Sequence, residues 1–557
     1  MSDWMSGLSR RRFVSNLAIA GMAPLWRRLD LLAWQSERRF TGDNFERAHE
    51  LLEDPDATIA KLGPPQVHSE LRDVIVVGGG IAGLTVAHKL GDRNLMLLEA
   101  ADETGGVSKG EAWQGIEYAI GAAYIIDPDP DSEDVRELAG FTLLEELGLR
   151  ARDEDLARNR KLQRRLSGDA NHVVFSSRRV IPEALVYSQR NRRFFEHVLD
   201  SDDYPSVPPE NSALVEALDR ISFKAFLQDP TLQQKLYGRS VGAISSLGWE
   251  AIEYYCWGAF GTTADETSAY HGLNFFAAEF GDVLVYPGGN AFIAKRLTDR
   301  IHRDKPGAIR TGEWTLRIEK MADSFSVTSW SKGRIHTYRA RAVVFSAPLF
   351  LAPTIIPTLP EKQRDAIATF SYRSYVVANV LLRRSARRMF ANPAFRNGYE
   401  LTRVHGFDTV KRSAEDISGQ KVYSDAILAD FTSPHPTHAV LTVYRPYPYD
   451  DGASNLLLLP YEEMEAEIRR EVLAGFGPHG LRASDIEGVR LTRWGHPMLV
   501  TRPGQMADGT LRAATQSQPG LYFAHTDVNG APAYENALAA AFDCVEAVTK
   551  HLEQGGK

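Results

Sequence analysis

An α/β fold built on a parallel sheet is predicted by three observations. Residues 74–77, Val-Ile-Val-Val, are an unbroken apolar run, the mark of a strand buried on both faces. Gly78, Gly80 and Gly83 follow at once in the spacing G-x-G-x-x-G. A second apolar run, 95–98, ends in Glu99, 21 positions after Gly78. Strand, glycine turn, helix, strand and terminal acid together describe a Rossmann-like dinucleotide-binding unit.

Each part has a physical task. Gly78 allows the tight turn, Gly80 lets a pyrophosphate approach the backbone, and Gly83 lets the next helix pack on the strand. That helix, predicted over 81–90, starts with Ile81 and Ala82 and points the positive end of its dipole at the phosphates. Glu99 falls where a ribose-binding carboxylate is expected, about 20 residues on, and an acid there favours a free 2′-hydroxyl over a 2′-phosphate.

The rest of the chain is read around this unit. With 557 residues it can hold two or more domains. Hydrophobic content of 43% and charged content of 24% are ordinary for a globular protein. A net charge of −8 argues against nucleic acid as the partner. Cys256 and Cys544, the two cysteines, exclude a disulfide framework and any C-x-x-C metal or haem-attachment motif. Both sit in apolar segments and read as core residues. No spacing suggests a metal site.

Residues 9–14, Ser-Arg-Arg-Arg-Phe-Val, fit a twin-arginine pattern, and a short apolar run follows over 17–26. It is shorter than the roughly 20 residues a bilayer span needs. Residues 1–35 are therefore read as an export signal for folded cargo, which predicts a periplasmic location. An uncleaved N-terminus would leave the protein close to the membrane. Residues 36–70, polar with weak helical periodicity and ending in Gly63-Pro64-Pro65, read as a leader arm or linker.

Residues 71–150 are assigned to the first part of the dinucleotide-binding domain, with short strands in 111–126 and an amphipathic helix over 135–149. The β signal fades over 151–282, where charged segments (153–164, 191–199, 223–236) predict a mainly helical insertion. Residues 283–348 return to the dinucleotide domain: a turn at 286–290, a helix over 291–300, hairpin strands over 308–337 and a buried strand over 342–348. Residues 349–490 are assigned to the sheet of a second domain, with strands at 376–382, 439–444 and 455–459. Residues 491–557 close the first domain.

Further motifs bring in a resemblance. Glu99-Ala100 is followed, after a short spacer, by Gly105-Gly106. Near the other end, 520–527 reads Gly-Leu-Tyr-Phe-Ala-His-Thr-Asp, and 534–538 reads Tyr-Glu-Asn-Ala-Leu. On these residues the chain resembles the FAD-dependent amine oxidase superfamily. Gly-Gly-x-x-Lys at 105–109, Pro-Gly-Gly-Asn at 287–290 and Ala-Asn-Val at 378–380 look more like its bacterial spermidine dehydrogenase-like branch. The resemblance implies a monoamine oxidase-type FAD-binding domain, an α+β substrate domain and a helical insertion capping the substrate site.

It also implies roles. Gly78, Gly80, Ile81, Ala82, Gly83, Gly105 and Gly106 would lie at the FAD phosphates, and Glu99 with Ala100 at the ribose. Ile318 would meet the adenine and Asp527 the ribityl chain. The amides of Asn536 and Ala537, at a helix start, would face the flavin pyrimidine and stabilise charge on the reduced ring. No cysteine sits in the segment just before the last strand, so the resemblance implies non-covalent FAD. Trp494 and His496 lie where relatives approach the flavin face. His496 suits a general base or an orienting group, and Trp494 suits an aromatic wall that attracts cations. Tyr534, which starts the last helix, is the third catalytic candidate beside His496 and Trp494. Tyr254, Tyr255 and Trp257 are further aromatic candidates. The chain departs from monoamine-type oxidases in two places: the strand from Tyr375 carries no lysine, and Ala533 stands where a second cage tyrosine is expected.

The function implied is hydride transfer from the carbon next to an amine nitrogen to flavin N5, giving an imine. A desaturase of C–C bonds in an apolar substrate, and a flavin-bearing subunit of a periplasmic electron-transfer complex, are the alternatives. The substrate would be a small amine or apolar molecule. Oxygen or another redox carrier would reoxidise the flavin.

Overall fold

The computed structural model describes residues 40–42, 44–132, 135–150, 164–166, 172–176, 179–182, 186–281, 283–386, 400–404, 424–429, 435–447 and 452–554. The chain there opens on two short helices, α1 (Phe45–Leu52) and α2 (Pro55–Leu62). Asp54 caps α2 by accepting from the Ala57 amide at 2.9 Å. These helices form within the stretch 36–70 read as an arm or linker. Their apolar positions are few, which hid them, but Leu51 is buried against Trp314 and Leu316.

A sheet of seven strands follows: β1 (Gln66–Val77), β2 (Leu95–Leu98), β3 (Ile309–Arg310), β4 (Trp314–Lys320), β5 (Phe325–Ser331), β6 (Arg334–Phe345) and the late strand Leu521–Phe523. The order is β3-β2-β1-β6-β5-β4. β1 runs parallel to β2 (Val74 opposite Leu95) and to β6 (Val74 opposite Ala342). β6 changes partner along its length: its first half forms a hairpin with β5, and Val343–Phe345 pair in parallel with Leu521–Phe523. The buried run at 74–77 is thus only the inner end of β1; its outer half, paired with β6 but not with β2, is largely exposed.

Helix α3 (Ile81–Lys89) buries every residue from Ile81 to Ala87. Its apolar side chains join those of α4 (Val135–Glu146), the helix Ala291–Asp304 and the last helix, Tyr534–Gln554, over Val74, Val76, Leu97 and Val344. Burial of that many aliphatic groups, at about 1.5–3 kcal/mol each, fixes the layer. Gly140 within α4 lies 3.6 Å, measured from the position of an added Cβ, from Leu538 of the last helix.

The second sheet is antiparallel, in the order β8-β9-β7-β10, where β7 is Tyr372–Arg383, β8 Asp425–Leu428, β9 His438–Tyr447 and β10 Ile486–Leu499. Met464, Ile468, Val472 and Phe476 of the helix Tyr461–Phe476 cover it. The strand expected at 455–459 is part of a helix, Gly452–Leu458. Its leucines give an apolar run, but Leu456 is buried while Leu458 is 80% exposed, the one-sided pattern of a surface helix.

Residues 186–281 form a layer of helices, including Gln189–Leu199, α5 (Ser246–Phe260) and α6 (Ala269–Ala278), around a phenylalanine-rich core. The region expected to be helical also contributes short strands. Arg164–Leu166 pairs with Val283–Val285, which also pairs with Tyr124–Ile126, and His172–Ser176 lies between Arg179–Pro182 and Glu400–Val404. Strands of three to five residues with distant partners leave no periodic signal. Residues 153–163 lie outside the described residues. Among those residues no helix is long and apolar enough to cross a membrane.

Candidate active site

A cavity of about 1670 Å³ lies between the two sheets. Ligand pockets are roughly 300–1,000 Å³, so it can hold a dinucleotide and a second molecule. One end is built from backbone. Gly78, Gly79, Gly80, Ile81 and Ala82 line it with Glu99, Ala100, Gly105 and Gly106. Gly78 has φ +108°, and a Cβ there would stand 2.6 Å from the Ser346 carbonyl oxygen. Gly105 (φ +126°) and Gly106 (φ +59°) turn in the left-handed region that favours glycine. Helix α3 begins here with no side-chain cap, so its first amides and positive dipole end are left for a ligand.

Gly80 and Gly83 differ in kind. A Cβ on Gly80 would meet nothing nearer than the Gly106 Cα at 3.9 Å, so it would project into the space left for a ligand. A Cβ on Gly83 would stand 2.0 Å from the Gly78 carbonyl oxygen. Gly83 does not line the cavity; it lets helix and turn touch, as its place in the motif requires. The Glu99 carboxylate accepts from the Gly79 amide at 2.6 Å and the Ala101 amide at 2.8 Å, which fixes it at the cavity edge.

The other end is built from side chains. Tyr124, Tyr187, Tyr254, Tyr255, Tyr375, Tyr444 and Trp494 line it, and among the carboxylates of the wall Glu279 is the one bonded to two of these tyrosines. Glu279 accepts from the Tyr255 hydroxyl at 3.2 Å and the Tyr124 hydroxyl at 3.4 Å. Three groups of the second sheet hold the loop between the two ends. Trp494 donates its indole N–H to the Ile120 carbonyl at 2.7 Å, Tyr444 its hydroxyl to the Gly121 carbonyl at 2.6 Å, and Asn379 its amide to the Ala119 carbonyl at 3.0 Å.

His496 lines the cavity with its ring 5.0 Å from that of Phe350 and 6.4 Å from that of Tyr372. Enclosure by protein, and then the positive charge of nearby His49, hold its pKa below the ordinary value, so the imidazole is neutral at pH 7. Tyr534, Asn536 and Ala537 also line the cavity, at the start of the last helix. The Tyr534 hydroxyl is buried with no hydrogen-bond partner among the described residues, and burial raises its pKa well above the ordinary value. Burial therefore disfavours its ionised form, and the structure places Tyr534 in the cavity wall. Glu535 accepts from the Ile126 amide at 2.8 Å.

Two expected ligands are elsewhere. Ile318 is fully buried on β4 among Val77, Leu98 and Val327; the strand meets the cavity at Glu313, Trp314 and Thr315, and by Ile318 it has passed into the core. Asp527 is also off the wall. Its carboxylate is buried, accepting from the Leu349 amide at 3.0 Å and the Tyr372 hydroxyl at 2.8 Å, with His525 Nδ1 at 3.2 Å. Burial pushes its pKa up, but His525 and these donors outweigh it and hold it below the ordinary carboxylate range. His525 and Thr526 take its place on the wall. Trp257 is buried in α5 and does not line the cavity, whereas Tyr254 and Tyr255 do.

Residues 81–548 match the family described as flavin containing amine oxidoreductase. The chain belongs to that family. Oxidoreductase PigB of Serratia sp. is 22% identical over 531 residues, 86% of this chain and 75% of PigB. Putrescine oxidase bound to putrescine superposes with a TM-score of 0.58 at 16% identity, and cyclohexylamine oxidase from Brevibacterium oxydans with 0.58 at 19%. Each covers 87% of this chain and 100% of its own. These two likenesses establish the fold.

The family makes this an FAD-dependent oxidoreductase, and the cavity fits FAD. The Cβ position of Gly80 opens onto ligand space, the uncapped start of α3 suits a pyrophosphate, and Glu99 stands at the end of β2. Gly78, Gly80, Ile81, Ala82, Gly105 and Gly106 would hold the phosphates, Glu99 and Ala100 the ribose, and the start of the last helix the ring. The sequence reading missed Tyr124, Glu279, Tyr375, Tyr444 and Phe350, which come from five separate segments.

Proposed function

We propose that the protein oxidises a small amine at the carbon bonded to nitrogen. When bound, FAD accepts the two electrons and hydrogen of that C–H bond; the nitrogen lone pair becomes the second bond of an imine, which water hydrolyses. The family match supports this reading, as does the chamber: tyrosine and tryptophan faces attract a cation, and Glu279 places a carboxylate among them. Trp494 and Tyr444 orient the loop at 120–121 that joins the cofactor end to the chamber. His496, neutral at pH 7, is placed to accept a hydrogen bond from the amine and orient it.

The observation that carries the reading is the Glu279 carboxylate, held by two tyrosine hydroxyls in an aromatic wall of the same cavity that the glycine turn lines. Anaerobic titration of the holoprotein with polyamines, monoamines and amino acids tests it. Bleaching of the yellow band by an amine is expected. Bleaching by an apolar alkene precursor alone would move the assignment to a desaturase, and no bleaching at all to an electron-transfer subunit.

Gly-Gly-x-x-Lys at 105–109 and Pro-Gly-Gly-Asn at 287–290 support a place in the spermidine dehydrogenase-like branch. The twin-arginine pattern supports export of the loaded protein to the periplasm, where oxygen or a redox carrier would take the electrons. Residues 1–39 lie outside the described residues. A reporter fused to residues 1–40 is expected outside the cytoplasm; retention inside would defeat the export claim.

A further inference from the structure

The family match begins at residue 81, yet residues well before it form part of the cavity wall. Phe45, Ala48, His49 and Leu52 line the cavity. Their spacing puts them on one face of α1.

Both ends of this segment are fastened, and to different sheets. At the start, the Thr41 amide donates to the Leu491 carbonyl of β10 at 2.9 Å. The Phe40 ring lies 5.4 Å from that of Tyr461, and the Arg493 guanidinium sits 3.7 Å from the Phe40 ring and 4.2 Å from the Phe45 ring. At the far end, Leu51 is buried against Trp314 and Leu316 of β4, Arg47 lies 5.0 Å over Trp330 of β5, and Asp56 pairs with Arg317. The segment therefore crosses from the second sheet to the first. Along the way Ala48 and Leu52 pack near Ala100 and Trp314, beside Glu99, while His49 is close enough to His496 to lower its pKa.

We propose that residues 44–62, with their anchor at 40–42, are a strap that completes the FAD site, closing the cavity over the ribose-and-adenine end and slowing cofactor release. It lies outside residues 81–548, the part that matches the family. Because it is tied to both sheets, it also couples the two domains through the bound cofactor. Coupling is reciprocal: if the strap retains FAD, FAD protects the strap.

Two measurements on the full-length protein test this. The first is hydrogen exchange with and without FAD. Amides of 45–62 are expected to exchange at least tenfold more slowly in the holoprotein, while those of β9, in the core of the second sheet, are unchanged. The second is FAD release after dilution, followed by flavin fluorescence. Leu51→Ala and Phe40→Ala loosen the two anchors without touching the cavity wall; each is expected to speed release at least tenfold, and Leu51→Met to restore slow release. Equal exchange of 45–62 with and without FAD overturns the proposal even if a variant fails to fold. So does release within twofold of the unaltered protein in a folded Leu51→Ala variant.

Discussion

The two ends of the cavity are made in opposite ways. The cofactor end is backbone: Gly78, Gly80, Gly105 and Gly106, and the bare start of α3, fall within 30 residues. The chamber is side chain: Tyr124, Glu279, Tyr375, Tyr444 and Trp494 arrive from separate strands and helices. A ligand read by backbone needs glycines at fixed offsets, so the first end writes a local motif. A ligand read by side chains needs only convergence in space, so the second writes none.

The sharpest test of this contrast lies within the glycine motif. Gly83→Val forces atoms against the Gly78 carbonyl, and should destabilise by about 3 kcal/mol or more, the upper range for overpacking. Little soluble protein is expected. Gly80→Val should fold with an unchanged far-ultraviolet circular dichroism spectrum and lose its flavin, since its new side chain faces only ligand space. A yellow, fully loaded Gly80→Val protein would break the assignment of that end.

Asp527 ranks next, because it braces the wall without touching the cavity. Asp527→Asn should cost about 1–3 kcal/mol in urea unfolding at pH 7, through weakened donors to a buried acceptor. Its pKa is depressed in the folded state, so its contribution is complete above the ordinary carboxylate value of about 4 and is lost as pH falls through the lower folded value. The gap between the two proteins should therefore narrow in acid. A constant gap from pH 7 to pH 3 would contradict that.

Tyr444→Phe removes one hydroxyl that holds Gly121. A loss of about 0.5–1.5 kcal/mol is expected, with flavin retained and its reduction by an amine slowed. Unchanged reduction would detach the chamber from the chemistry. The smallest effect is at His49. Since His496 is depressed in the fold, its contribution to stability is present above the ordinary histidine value and lost as pH falls through the folded one. His49→Gln removes a positive neighbour, so an NMR titration of His496 should move upward; no movement would show that burial alone sets it.

Legibility follows the same divide. The strand at 74–77, helix α3, β2 and Glu99 could be read because parallel strands buried on both faces are apolar throughout and the glycines sit between them. The loop role of Trp494 was half visible: its position was singled out, but its hydrogen bond to Ile120 was not. Ile318 and Asp527 were misplaced because a strand or turn can be recognised without knowing which residue faces the ligand. The helix Gly452–Leu458 was misread as a strand because a short leucine run carries no period. Glu279 gave no signal, as a single acid after the apolar helix α6 looks like any surface carboxylate. Helices α1 and α2 left only a weak period for another reason: the strands they pack on, β4 and β6, lie hundreds of residues away.

The central claim is that segments around Gly78–Gly106 and Thr526–Ala537 close on one FAD molecule. Flavin released per chain by denaturing the purified protein measures this most directly. One FAD per chain is predicted, either as isolated or after reconstitution; a colourless protein that takes up none would contradict the account.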